Sequence, residues 1–356
     1  MFGLTGELFP CLIQAFEEYT GAVRMVASLE GQPALPQGQT GYNWAELTFM
    51  AFLQQKFRQF DGPTWLVAIV LYGAWILLVW YSARLPWWVI MPVGAYLIAW
   101  HFSLQHEAIH AFRGVPAWLR FAVVFPPLGL WFPYPLYRKS HSTHHRDVHL
   151  TIPGVDTESY YVLRADWDRM GPIRRSLLTF NQTMAGRLLI GPALRLSILV
   201  SKETRRVRQG DFSHLPHWAV HAVAVAGLFW FISGVCGFPW WQYCLLVAYP
   251  GLGLGLLRAF TEHRAAADSQ ERTAAVESNV VFGLLYLYNN LHVAHHLKPT
   301  MPWYDIPRFY RENRGELLAG NGNFVFKGYA ELARRYLIVP VFSPVFPESP
   351  GSPPSR

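Results

Sequence analysis

Three short segments of this chain are rich in histidine, and their spacing suits metal binding. The segment HEAIH places two histidines four residues apart, and the segments HSTHH and HVAHH each place three at positions i, i+3 and i+4. On an α-helix these positions share one face, so three rings can converge. Imidazole nitrogens are ligands of first-row transition metals. The residues are His106, His110, His141, His144, His145, His292, His295 and His296.

The number of histidines predicts two metal ions rather than one. His263, which follows an apolar segment, adds a ninth imidazole, and nine ligands are too many for one four-coordinate ion. Two ions would each receive about four or five nitrogen ligands. The three cysteines form no CxxC pair, so a thiolate site within this chain is not expected. Because imidazole suits iron, zinc, copper and nickel, these residues alone leave the metal open.

Acidic and amide side chains near the histidines are predicted to orient the rings. A metal-bound histidine usually donates its second ring N–H to a carboxylate or a carbonyl. The alternative is that several of these acids pair with neighbouring arginines. Asn289 and Asn290 either hold a ligand or form a turn, and His149 is either a further ligand or an orienting group. The acidic candidates are Glu107, Asp147, Asp156, Glu158, Glu262 and Glu277.

The composition indicates an all-α integral membrane protein. Only 15% of the residues are charged and 52% are hydrophobic, whereas soluble domains carry about 25% charged residues. Four apolar segments, residues 64–82, 86–112, 215–235 and 240–262, approach or exceed the roughly 20 residues that span a bilayer. Short connectors pair them into two transmembrane hairpins. Residues 115–134 are predicted to form a re-entrant or interfacial segment, and residues 185–200 an interfacial helix. The histidines are predicted to form a cytoplasmic cap.

The distribution of basic residues orients these hairpins. The two short connectors contain only Arg84, whereas residues 113–214 contain fifteen basic residues and the part after residue 262 contains ten. Lysine and arginine favour the cytoplasmic side, so both termini and all the histidine segments are predicted to be cytoplasmic. The net charge of +7 then reflects a surface that faces anionic lipid, and no nucleic-acid binding is expected. A metal transporter would instead place its ionisable residues near the bilayer midplane.

The chain is predicted to have three parts along its length. Residues 1–46 form an N-terminal cytoplasmic segment and linker, residues 47–311 form the membrane catalytic domain, and residues 312–356 form a cytoplasmic tail. The tail ends in the Pro/Ser-rich segment PESPGSPPSR, which is predicted to be disordered. Within the fourth apolar segment, Gly251 and Gly255 predict a close contact between membrane helices rather than a dinucleotide-binding loop.

The three histidine segments, in this order on one side of two hairpins, resemble the membrane-bound fatty acid desaturase/hydroxylase superfamily. The surrounding HEAIHAF and NNLHVAHHLKPTMPWYDIP are most similar to bacterial fatty acid desaturases. The resemblance implies a non-haem centre of two iron ions held by the eight histidines of the three segments and by His263. It also implies O2 as co-substrate and a location in a bacterial inner membrane.

The resemblance implies an O2-dependent lipid desaturase that introduces a double bond into a fatty acyl chain. The alternative is a hydroxylase, monooxygenase or ketolase of the same superfamily that acts on an alkyl or isoprenoid chain. The first segment has three residues between its histidines where many acyl-CoA desaturases have four, which argues against that subgroup. The chain has no cytochrome b5 motif and no cysteine cluster, so a separate ferredoxin, rubredoxin or cytochrome b5-type protein is the expected electron donor.

Two further sets of residues bear on the substrate. Arg138, Lys139, Lys298 and Arg308 are candidates for binding a head group or an acidic donor protein, although the positive-inside distribution explains them equally well. Aromatic side chains either shape a substrate tunnel or, for most of them, form an interfacial belt. These are Trp87, Trp88, Trp100, Trp131, Trp230, Trp240 and Trp241.

Overall fold

The computed structural model describes residues 44–145 and 149–347, so most of the predicted N-terminal segment, Asp147 and most of the Pro/Ser-rich end lie outside it. Helix α1 (Trp44–Gln59) belongs to a unit that ends at Gly62, and a second unit begins at Pro63. The first half of the chain continues with α2 (Gly62–Trp80), α3 (Trp87–His110), α4 (Ala117–Val124), α5 (Tyr134–His144), α6 (Arg164–Arg169), α7 (Pro172–Phe180) and α8 (Met184–Leu189). The second half contains α9 (Gly191–Arg208), α10 (Leu215–Phe229), α11 (Trp240–Tyr243), α12 (Tyr249–Ala259), β1 (Ala275–Val276), α13 (Val280–Leu285), α14 (His292–Leu297), α15 (Ile306–Gly320), β2 (Val325–Phe326) and α16 (Tyr329–Tyr336).

Three of the four predicted membrane spans are helices of sufficient length and apolarity to cross a bilayer. They are Gly62–Trp80, Trp87–His110 and Leu215–Val235, the last of which is α10 extended by a π-helical turn. The fourth predicted span is helical from α11 through a π-helical turn to the end of α12, and it stops at Ala259 rather than at residue 262. Its passage through the membrane stays a prediction.

The first two spans form the predicted hairpin. Helix α2 has no charged residue, and a single 3₁₀ turn, Ser82–Arg84, separates it from α3. Pro86 precedes the first residue of α3 in an extended conformation, which is the backbone that a residue before a helix typically adopts. The short connector therefore joins two helices of membrane-spanning length and leaves the histidines of α3 at the end far from it.

Small residues allow α12 to pack closely on α3. A Cβ atom at Gly251 would lie 2.4 Å from Ile98 Cβ, and one at Gly255 would lie 3.0 Å from the ring of Phe102. The packing continues at Gly94 of α3, where a Cβ would lie 2.8 Å from Val247. These distances agree with the helix contact predicted from the glycine spacing. Helix α3 therefore has a fixed position from which its last turn presents His106 and His110.

The parts outside the spans differ from the sequence prediction in two ways. The predicted interfacial segment 185–200 is not one helix, because α8 ends before Ile190 and Pro192 lies in the first turn of α9, a position that suits proline. The described part of the chain is mostly helical, as predicted, but it also contains one parallel pair of two-residue strands, β1 and β2, with Ala275 opposite Val325. The predicted segment 115–134 contains only the short helix α4.

Residues beyond the predicted catalytic domain pack into the same core. The predicted limit at residue 311 falls within α15, in which Leu317 and Leu318 are buried. Leu332 of α16 is fully buried in a cluster with Phe326 of β2. The domain limits stay predictions, but the described part of the predicted tail contains β2, which pairs with β1 ahead of the last histidine segment.

Most of the singled-out tryptophans face outward near the two hairpin connectors. Trp87, Trp88, Trp230, Trp240 and Trp241 are each at least half exposed. This placement favours the interfacial belt for these five residues. Trp131, in contrast, lines a cavity beside the histidines.

Candidate metal centre

The nine predicted histidines come together in two groups. Within each group, every histidine offers one ring nitrogen, and these nitrogens all lie within 4.8 Å of one another. The group of five, called group one, contains His106, His110, His141, His145 and His295. The group of four, called group two, contains His144, His263, His292 and His296.

Each three-histidine segment contributes to both groups. His141 and His145, at positions i and i+4, belong to group one, whereas His144 belongs to group two. The last segment shows the reverse arrangement, because its i, i+4 pair is in group two and His295 is in group one. The expectation that all three rings of a segment converge at one point is therefore wrong. The two rings one turn apart, at positions i and i+4, belong to the same group. The ring at position i+3 belongs to the other group.

Two carboxylates orient the histidines of α5. His144 Nδ1 lies 2.8 Å from Asp156 Oδ1, and His141 Nδ1 lies 2.9 Å from Glu158 Oε1. The backbone N–H groups of Thr151 and Glu158 also donate to Asp156, at 2.8 and 2.9 Å. These contacts hold the Nδ1 side of each ring outward, so each Nε2 atom is directed toward its group.

Group two has its own outer contacts. His292 Nδ1 lies 3.2 Å from Asn289 Oδ1 and 3.3 Å from Glu262 Oε1. His263 Nδ1 lies 3.3 Å from the carbonyl oxygen of Arg272. A backbone bridge between His263 and Thr273 fixes this histidine after the end of α12. Group two is thus oriented by an amide, a carboxylate and a carbonyl.

Asn289 and Asn290 have different roles. The Asn289 amide lies 3.3 Å from His106 Nε2 while its oxygen contacts His292, so this side chain connects the two groups. Asn290 instead donates to the carbonyl of Val276 at 2.7 Å and holds the turn against β1. The sequence left both roles open for both residues.

A turn with unusual backbone angles aims the last histidine segment. Leu287 and Tyr288 have φ values of 46° and 55°, which is the left-handed region that non-glycine residues rarely adopt. The Tyr288 N–H donates to the carbonyl of Gly283 at 2.7 Å and closes the turn. The chain reverses here between α13 and α14, so that Asn289 and His292 enter the centre.

Three other candidate residues lie elsewhere. Glu107 accepts a hydrogen bond from the backbone N–H of Trp303 at 3.2 Å. Glu277 pairs with Arg314 and accepts from Tyr310. His149 is exposed and belongs to neither group.

Sequence reasoning missed Arg258, whose Nε lies 3.0 Å from Glu262 Oε1. The spacing i, i+4 between this arginine and Glu262 was the available signal. This pair places a positive charge beside the carboxylate that lies near His292.

Burial and crowding keep most of these imidazoles neutral. For His292, His295 and His296, burial and the neighbouring histidines hold the pKa well below its usual value. Burial also lowers the pKa of His263 to about 3. Burial lowers the pKa of His144 as well, but Glu158 and Asp156 outweigh it and raise the pKa to about 9. Neutral imidazole is the form that binds metal.

The residues fit a pair of metal ions that prefer nitrogen ligands. The Nε2 atoms of His110, His141 and His296 are buried and have no hydrogen-bond partner among the described residues. A buried nitrogen without a partner is costly, and a bound ion would satisfy it. His263 Nε2 also lies 3.1 Å from the Nε2 atoms of both His144 and His292. Nitrogen atoms that converge in this way form a donor set typical of imidazole-binding metals.

Comparison with protein families agrees with this arrangement. The model of the family described as fatty acid desaturase matches residues 82–327, which include all nine histidines. The chain belongs to the fatty acid desaturase family. This confirms the resemblance inferred from the histidine segments. Comparison with curated proteins finds no match.

Membership of the fatty acid desaturase family indicates an oxidoreductase of the desaturase/hydroxylase superfamily. Together with the three membrane-length helices, it indicates an integral membrane protein. The two histidine groups could hold the metal on which such enzymes depend.

A cavity of about 680 Å³ lies beside the centre of this desaturase-family chain. Tyr137 and Glu158 line the cavity, and both contact His141 on their other side. Among the described residues that line it, none is one of the nine histidines. The cavity therefore adjoins the centre through the side chains that orient the histidines.

Proposed function

We propose that this protein is an O2-dependent di-iron desaturase that introduces a double bond into a fatty acyl chain at the cytoplasmic face of a bacterial inner membrane. The observation that carries the proposal is the division of nine histidines into groups of five and four in a chain of the fatty acid desaturase family. Each group has enough nitrogen ligands for one ion. The fourth helical segment, ending at Ala259, is proposed to complete the second transmembrane hairpin.

The chain's own residues hold and orient the metal ligands. The histidines of groups one and two would bind one ion each, and Asp156, Glu158 and Asn289 fix three of the rings through Nδ1. Bound iron supplies the activation of O2 and the oxidising power that side chains lack. Six of the nine histidines are buried, so the protein limits the access of water to the centre. Asn289 maintains the relative position of the two groups through His106 and His292.

The reducing electrons are proposed to come from a separate ferredoxin, rubredoxin or cytochrome b5-type protein. The two chemical outcomes, desaturation and hydroxylation, require the same ligands and differ in what happens to the substrate carbon after the first hydrogen is removed. The alternative function is therefore a hydroxylase or ketolase on the same scaffold. The ligand set favours neither, so the product must be identified directly.

Lipid analysis of a bacterial host, with and without expression of the full chain, tests the proposal. We expect new unsaturated acyl chains with a defined double-bond position, and no such product with the His295→Ala variant. An added hydroxyl or keto group would favour the alternative.

Purified protein should contain about two iron ions per chain. Stoichiometric zinc without iron, after growth with ample iron, would overturn the proposed mechanism.

A further inference from the structure

The cavity beside the centre is lined by apolar and by basic side chains. Phe102, Leu130, Leu196, Leu199 and Leu256 are among the apolar ones, called here the apolar part of the cavity. The charged lining consists of six basic and three acidic side chains, an excess of three positive charges. An amphiphile with a negative charge at one end matches this division. The basic side chains are Lys139, Arg195, Lys202, Arg205, Arg206 and Arg258.

The acidic side chains of the cavity are already engaged with protein groups. Asp156 and Glu158 each accept from a histidine of the metal centre. Glu203 lies 3.0 Å from His214 Nδ1 and accepts from Trp218 Nε1 at 2.9 Å. Among the described residues, none of these carboxylates forms an ion pair with a lysine or arginine side chain that lines the cavity. The charge of Arg195 nevertheless helps to lower the pKa of Glu158.

Two of the basic side chains are paired, and three on α9 are not. Arg206 pairs with Asp211, and Arg258 pairs with Glu262. The side chains of Arg195, Lys202 and Arg205 form no hydrogen bond or ion pair with the described residues of the chain. Burial lowers the pKa of Lys202, and the charges of Arg195 and Arg205 lower it further, whereas Asp156 opposes them. Three cations without a side-chain partner among the described residues thus line one cavity, with Arg195 and Arg205 near Lys202.

Helix α9 supplies both the cations and part of the apolar wall. Arg195, Leu199 and Lys202 follow one another at spacings of four and three residues, which places them on one face of the helix. Of the head-group candidates predicted from the sequence, Lys139 lines the cavity. Lys298 lies over the ring of Phe309 at 4.3 Å, and neither it nor Arg308 is among the described residues that line the cavity.

We propose that Arg195, Lys202 and Arg205 bind the anionic head group of an acyl lipid whose chain contacts the apolar part of the cavity. Arginine and lysine donate charge-assisted hydrogen bonds to phosphate or carboxylate oxygens. The cavity volume of about 680 Å³ lies within the range of about 300–1,000 Å³ for small-molecule sites. The assignment of the lipid as a substrate rests on the proposed function, whereas its binding does not.

Retention of lipid by the purified full-length protein tests this inference. Native mass spectrometry in detergent would compare added phosphatidylglycerol, palmitate and uncharged diacylglycerol. We expect an anionic lipid to be retained over diacylglycerol, and the Arg195→Gln/Lys202→Gln variant to lower its apparent affinity at least about tenfold. Selective retention of phosphatidylglycerol identifies a phosphate head group, and selective retention of palmitate identifies a carboxylate. Retention of diacylglycerol equal to that of both anionic lipids would overturn the inference.

Arg208→Gln is the matched control, because Arg208 is on the same helix but is not among the residues that line the cavity. An equal loss of affinity in this control, or no loss in the double variant, would also overturn the inference. Thermal unfolding of each variant excludes misfolding as the cause. The proposed function fails separately, because charge-dependent lipid retention without any oxidised acyl product in the host would contradict the function and leave the head-group site intact.

Discussion

His144 Nδ1 lies 2.8 Å from Asp156 Oδ1, and both side chains are almost completely buried. The carboxylate has little freedom, because the backbone N–H groups of Thr151 and Glu158 also donate to it. Burial raises the pKa of Asp156, but His144 and these two amides more than offset it, so the pKa lies below its usual value. Asp156 is thus a fixed anion that orients a histidine of group two.

We expect the Asp156→Asn variant to bind iron about 10–100-fold more weakly, because the substitution removes the charge that orients His144. Iron content per chain, measured after equilibration with limiting iron, checks this. Asp168→Asn is the control, since Asp168 forms an exposed pair with Arg164. Equal iron affinity in the two variants would contradict an orienting role for Asp156.

The division into two groups predicts that single histidine substitutions affect different ions. His295→Ala should weaken the ion held by group one, and His296→Ala should weaken the ion held by group two. We expect each variant to retain about one iron per chain, to lose turnover, and still to insert into the membrane. Iron content together with Mössbauer spectra of the remaining site distinguishes the two variants.

His149→Ala is the matched control for both substitutions, because this exposed histidine lies outside both groups. It should retain two irons and normal turnover. The two-group arrangement would be contradicted if His295→Ala and His296→Ala lost both ions and left identical spectra.

The sequence predicted the content of the centre but not its internal arrangement. Helical periodicity placed His106 and His110 on one face, and the basic residues placed every histidine segment on one side of the hairpins. His144 and His295 belong to the opposite group from the other histidines of their segments. This division depends on how α5, α14 and the chain after α12 pack against one another. Local spacing carries no information about such long-range packing.

The outer contacts were predictable only in part. Asp156 and Glu158 are near the second segment in sequence, and both contact it. Glu277 is equally acidic and precedes the third segment, but it pairs with Arg314 of α15, which is 37 residues away. The strand pair that brings α15 close has two residues in each strand, which is too short to show a recognisable period.

Close packing of α12 on α3 predicts a penalty for enlarging Gly251. In the Gly251→Ala variant the new Cβ would lie 2.4 Å from Ile98 Cβ, so a helix or the isoleucine must move. We expect a loss of about 1–3 kcal/mol in the free energy of unfolding. Gly227→Ala is the control, because nothing lies within 4 Å of a Cβ added there, and alanine favours the helix by up to about 1 kcal/mol. Unfolding in detergent that affected both variants equally would contradict this contact.

The pair formed by Glu277 and Arg314 predicts an acid-sensitive contribution to stability. Hydrogen bonds from Arg314 and Tyr310 lower the pKa of Glu277 despite its partial burial. Because the folded-state pKa is below the unfolded value of about 4.3, the stabilisation is fully present above that pH and is lost as the pH falls through the folded pKa. We expect Glu277→Gln to unfold at a lower temperature than the unmodified protein at pH 7, with the difference shrinking on acidification.

Both proteins carry the same histidine groups, so acid effects on the metal centre cancel in the comparison. Glu316→Gln, at an exposed position of α15, is the control and should follow the unmodified protein at every pH. A difference for Glu277→Gln that stays constant from pH 7 to pH 3 would show that the carboxylate contributes through packing rather than through its charge.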